Sequence, residues 1–326
     1  MSKRNLFEKR VNLKPYEYPE LLDFRDAIRH SYWVAEEFNY TSDVQDYRVN
    51  VTPQEKSALT KSMLAIAQIE VAVKRFWVDI YKYLPKPEID EVGVTFGESE
   101  IRHENAYASL LELLGMDDMF AHLHEYPALM ARYDYMEEFM SKKDASKSDF
   151  TLSLVMFSLF VEHISLFGQF LVIMSFNKHK NMFKGMSNAI EATSKEEEIH
   201  GRFGIALYGI LKEEHPELFT EEFYQELTAL ADSALKAEKA ILHWIFEEGD
   251  LDFIDLATAE NYIIHRYNNS LEILGIEAPY LVDEKLLKKT DWFTEEVLAG
   301  KENDFFYKRS TDYSKKQKQI TADDLF

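Results

Sequence analysis

Six polar side chains on otherwise apolar helix stripes constrain this chain more than any other feature. Glu70, Glu100, His103, Glu162, Glu197 and His200 all fall where helical periodicity places core residues. Glu70 lies in the stripe Met63, Ile66, Val73, Trp77, and Glu162 is flanked by Leu159 and Leu166. Phe96, Glu100, His103, Tyr107 and Leu110 recur at helical spacing on a second stripe. Ile190, Glu197, His200, Gly204 and Leu207 do so on another, weakened by Thr193 on the same face. A carboxylate in an apolar interior is unfavourable unless positive charge neutralises it.

Two of these stripes carry the same unit, Glu100-Ile-Arg-His103 and Glu197-Glu-Ile-His200. One Glu-x-x-His arises readily by chance, so the order along the chain carries more weight. It runs Glu, Glu-x-x-His, Glu, Glu-x-x-His, which makes two helix pairs of three ligands each, related by a pseudo-twofold axis. That arrangement suits a dinuclear iron or manganese site inside a helical bundle. The expected fold class is therefore all-α: a ferritin-like helical bundle with additional helices and a dinuclear metal site in the core. The outer nitrogen of each imidazole needs an acceptor. Glu196 is one candidate, while solvated charge is the other reading of Glu196 and Glu198.

Periodicity predicts long helices near 20–38, 53–84, 92–115, 149–177, 184–214, 220–248 and 252–274, and shorter ones around 118–142 and 283–299. Thr52-Pro53 reads as a helix start, and Pro85 and Pro87 as the end of the helix holding Glu70. The stretch 150–176 is apolar and long enough to span a bilayer. Glu162, His163 and Gln169 interrupt it, and a helix apolar all round also suits the centre of a large helical protein. The buried-core reading is preferred, with no membrane partner.

A net charge of −21 disfavours nucleic acid and anionic lipid surfaces as partners. No cysteine is present, which excludes disulfides, zinc–thiolate sites, iron–sulfur clusters and thiol nucleophiles on this chain. No apolar stretch follows the basic residues at the N-terminus, so no secretory signal is expected and the cytoplasm is the expected location. The expected division is a helical domain over 1–300 and a polar tail over 301–326 that cannot bury enough apolar surface to fold alone. The tail ends Asp323-Asp324-Leu325-Phe326, which is either inert or a docking peptide.

At this level of detail the chain resembles the small (beta) subunit of class I ribonucleotide reductase over nearly its whole length. The six ligands, an aromatic relay and the tail occur in the family's order. The family has a tyrosine one turn after the first ligand histidine, and Tyr107 follows His103 by four. It has a tryptophan in a W-x-x-E-E context, matched by Trp33-Val-Ala-Glu36-Glu37. It has a tail tyrosine after paired phenylalanines, matched by Tyr313 after Phe305-Phe306, with Tyr307 as a competitor.

The resemblance implies that the metal site reacts with an oxygen-derived oxidant and stores one oxidising equivalent. The hole would pass through Trp33 and Tyr313 to a cysteine of a larger alpha subunit, where ribonucleotides are reduced to deoxyribonucleotides. It also implies a homodimer and docking of the alpha subunit through the C-terminal tail, and it leaves open whether a flavoprotein activase is needed. Glu70 stands where many diiron members have aspartate and so resembles the manganese-using subgroups. Glu196 also replaces a usual aspartate. The preferred cofactor is two manganese ions, and the alternative is two iron ions with a tyrosyl radical on Tyr107. Competing readings are a ligand-binding oxidase of the same fold, a ferritin-like iron-handling protein and a metal-free helical scaffold.

Overall fold

The computed structural model describes residues 4–140 and 145–297. The tail 301–326, with Tyr307 and Tyr313, lies outside the described residues. Nine helices organise the description: α1 (Leu22–His30), α2 (Pro53–Asp79), α3 (Pro87–Leu114), α4 (Pro127–Met140), α5 (Lys147–Lys180), α6 (Lys184–Glu214), α7 (Glu221–Ile245), α8 (Leu256–Leu274) and α9 (Asp291–Val297). Shorter helical turns link them, and no β-strand occurs among the described residues beyond one isolated bridge, Leu251 to Ile254.

The helix starts follow capping chemistry. Thr52 caps α2 by accepting from Glu55 N, Glu55 accepts from Thr52 N in return, and Pro53 fills the first position. Pro87 was expected to help close α2; it opens α3 instead, because its missing N–H costs nothing at a helix start. Gly115, at φ 74°, ends α3 in the left-handed conformation that glycine tolerates. The helix expected over 20–38 stops at His30 and resumes only as a short turn, Ala35–Glu37. The segment between them carries Trp33 inward, where it is 6% exposed.

The apolar helix α5 is long and hydrophobic enough to cross a membrane, but its most apolar window is wholly buried inside the protein. Its middle, Phe157–Ser165, is a π-helix. A π turn frees carbonyls from the ordinary ladder, and such turns recur at functional sites. Neighbouring helices supply donors: Arg132 of α4 gives 2.7 Å to Ser165 O, Ser270 of α8 gives 2.8 Å to Leu159 O, and Arg266 of α8 bonds His163 O. Arg132 is itself held by a bidentate pair with Glu238 of α7 at 2.7 Å.

Helix α6 approaches this π segment closely because it presents glycine. A Cβ on Gly204 would lie 1.6 Å from Ser158 Oγ, and one on Gly201 would lie 2.0 Å from His163 Nε2. The central helices α2, α3, α5 and α6 thus surround one continuous apolar core, into which the polar cluster projects.

Candidate metal centre

All six residues singled out in the sequence meet at one buried point. Glu70 comes from α2, Glu100 and His103 from α3, Glu162 from the π segment of α5, and Glu197 and His200 from α6. Each is 0–1% exposed. Their potential ligand atoms form two groups, each within 4.8 Å: Glu70, Glu100 and His103, and Glu100, Glu162, Glu197 and His200. Glu100 belongs to both. Its Oε2 lies 3.2 Å from His103 Nδ1 and its Oε1 lies 3.0 Å from His200 Nδ1. Glu197 spans the same two imidazoles, at 3.1 Å to His103 Nδ1 and 3.2 Å to His200 Nδ1.

The donor set fits a pair of divalent cations. Both oxygens of Glu70 and of Glu100, one oxygen of Glu197 and Nδ1 of His103 lack hydrogen bonds despite full burial. Leaving such groups unpaired costs on the order of 1–3 kcal/mol each, and more when charged. Two divalent cations would balance four carboxylates, and carboxylate–imidazole donor sets suit iron and manganese.

Each imidazole is oriented from outside. His103 Nε2 lies 2.8 Å from Glu196 Oε2, so Glu196 accepts the hydrogen bond from its N–H. Ser99 Oγ donates to Phe96 O at 2.8 Å, which leaves a lone pair for the Nε2–H of His200 at 2.9 Å. Both contacts fix the tautomer that turns an Nδ1 lone pair toward the centre. Trp77 Nε1 donates to Glu162 Oε1 at 2.8 Å and fixes that carboxylate in turn.

Electrostatics without a cation shows what the cluster must otherwise do. Burial holds Glu70 well above the carboxylate range, with His103 opposing and Glu100, Glu197 and Glu104 adding to the rise. Burial likewise lifts Glu162, reinforced by Glu197. For Glu197 burial also pushes upward, but the hydrogen bond from Glu162 and the charge of His103 outweigh it and hold the group well below its usual value. Burial lowers His103 and His200, yet the facing carboxylates, led by Glu197 and Glu100 respectively, raise both well above the usual imidazole value. Protons and cations compete for the same buried oxygens and nitrogens, so cation binding there would release protons.

Trp33 and Tyr107 both lie close to the centre. The Trp33 ring lies parallel to His103, with 5.8 Å between centroids and 8° between planes. Arg102 closes the circuit: it donates to Glu196 Oε1 at 3.1 Å and to Trp33 O at 3.3 Å, and sits 5.0 Å over the Trp33 ring. Tyr107 is 1% exposed and its hydroxyl has no hydrogen bond. Burial, then the charge of Glu70, hold its phenol well above the usual range, while the nearby Thr193 hydroxyl pulls the other way.

Glu196 is therefore buried beside His103, and the solvated-charge reading of it fails. Sequence reasoning missed Ser99, Trp77 and Arg102. Trp77 sits among apolar residues and Ser99 between two glutamates on the ligand helices, a weak signal in either case. Arg102 carried none, because its partner is remote in sequence.

Comparison with known proteins adds independent information. Residues 10–286 match the family described as ribonucleotide reductase, small chain. The chain is 26% identical to the ribonucleoside-diphosphate reductase subunit beta of Chlamydia pneumoniae, over 72% of this chain and 69% of that protein. In fold it is similar to the ribonucleotide reductase R2 subunit of Clostridium botulinum, with a TM-score of 0.78 and 17% identity over 86% of this chain and 89% of the other. It is also similar to the dimanganese(II)-NrdF of Streptococcus sanguinis, with a TM-score of 0.69 and 15% identity over 87% and 99%.

Proposed function

This chain belongs to the ribonucleotide reductase small-chain family, and from that membership we propose that its six buried side chains hold two manganese ions that arm a partner subunit for nucleotide reduction. The observation that carries the reading is the sharing of Glu100 between two ligand groups, each with its own histidine. Bound there, the metal pair would supply a one-electron oxidising equivalent. Glu100 and Glu197, each close to both imidazoles, would be shared between the two ions. Glu196 Oε2 and Ser99 Oγ keep the Nε2 protons and so present both Nδ1 atoms.

Trp33 is the proposed relay residue beside the centre. Its ring lies on His103, and Arg102 holds it to the carboxylate that orients that histidine. Tyr313, with residues 301–326, is the proposed docking and relay segment for the large alpha subunit. Manganese is favoured by Glu70 in the first ligand position and by the two manganese ions of the similar S. sanguinis protein. Two iron ions with a radical on Tyr107 are the alternative. A flavoprotein activase and a cytoplasmic setting belong to the same reading. A homodimer does also: Val94 and Ile101 of α3 are 55% and 49% exposed beside Val78 of α2, an apolar stripe suited to a second copy.

One assay tests the whole proposal. The chain is loaded separately with manganese and with iron, exposed to dioxygen with and without a reduced flavoprotein, and combined with its large subunit. Deoxyribonucleotide formation is expected from the manganese-loaded full chain and to be lost when residues 314–326 are removed. Activity from the iron-loaded chain alone would overturn the choice of metal, and an active shortened chain would overturn docking through the tail.

A further inference from the structure

The centre is sealed by its own helices, so each cation needs a way in. A cavity of about 130 Å³ reaches the cluster along α2 and α3. Glu70 and Tyr107 line it, and both are 1% exposed with unpartnered oxygens. Glu104 and Asp117 also line it, between small residues at Ala67 and Ala108. The carboxylates stand at three depths: Asp117 is exposed, the Glu104 side chain is 39% exposed, and Glu70 is buried. Glu104 is ion-paired with Lys74.

We propose that this cavity is the port through which divalent cations reach the centre, with Asp117 and then Glu104 as transient ligands and Lys74 as the resident cation that an incoming ion must displace from Glu104. The inference rests on the reading of the six side chains as metal ligands. Space permits it: one water takes up roughly 30 Å³ of liquid, so the cavity holds a cation with part of its hydration shell. Charge selects it: a graded series of carboxylates draws in a cation and does nothing for a neutral oxidant. The Lys74 pairing gives the proposal a distinctive sign. Neutralising Glu104 must slow loading, whereas removing Lys74 must speed it.

The test follows manganese(II) uptake by the metal-free full-length chain, using loss of the free-ion magnetic resonance signal in rapid mixing and total metal at the end. Glu104→Gln is expected to slow uptake about tenfold, within the range of electrostatic steering. Ala108→Leu, which fills the cavity without touching charge, is expected to slow it too, and Lys74→Met to accelerate it. All variants should finish with the wild-type metal content. Wild-type rates in both Glu104→Gln and Ala108→Leu would overturn the port. So would a reduced final content at an unchanged rate, since Glu104 would then belong to the centre. A wild-type chain that takes up no manganese would reject the metal reading itself, and the port with it.

Discussion

Single residues decide which chemistry the centre can support, and Tyr107 is the most informative of them. Its hydroxyl is buried beside Glu70, with the Thr193 hydroxyl near it but outside good hydrogen-bond geometry. Removing an unsatisfied buried polar group is neutral or stabilising by roughly 1 kcal/mol. Tyr107→Phe is therefore expected to unfold at or slightly above the wild-type temperature, so any loss of activity is chemical. With manganese the variant should keep its activity, because the hole is proposed to rest on the metals; with iron it should be inactive. An inactive, stable manganese-loaded variant would move the hole onto Tyr107. Glu196 makes a related point. Beside Glu197 in sequence it reads equally well as surface charge, and only its contacts with His103 and Arg102 separate the two readings.

At the scale of elements, the π segment and the glycines facing it set how closely α5 and α6 approach. Gly204→Ala places a methyl 1.6 Å from Ser158 Oγ and 2.2 Å from Ser158 Cβ. Such overpacking typically costs about 1–3 kcal/mol. The variant is expected to melt several degrees lower and to bind metal more weakly, because Glu162 rides on the displaced segment. Adding Ser158→Gly should restore much of both, and a Gly204→Ala chain as stable as wild type would show that the close approach is dispensable. The helices themselves were largely legible, since amphipathic periodicity and the Thr52-Pro53 start are local signals. The π turn was not. Phe157–Ser165 is buried throughout, with Ser158, Glu162, His163 and Ser165 scattered among apolar residues, so no period betrays the change of register. The break after His30 was hidden too, because the buried position of Trp33 depends on His103 and Arg102 of α3, far along the chain.

At the scale of the molecule, four helices bring six ligands together that span residues 70 to 200, and no local fragment can form the site. The residue types and their order were readable because burying carboxylates needs a compensating charge. The orienting contacts from Ser99, Trp77 and Arg102 were not, since they join residues 69 to 101 positions apart. The pooled charge gives the central claim its sharpest test: metal content per chain after equilibration with manganese, for the wild type and for His200→Ala. The account predicts two tightly held ions in the wild type and loss of the tight pair in the variant. Two ions held as tightly without His200, or none in the wild type, would contradict it.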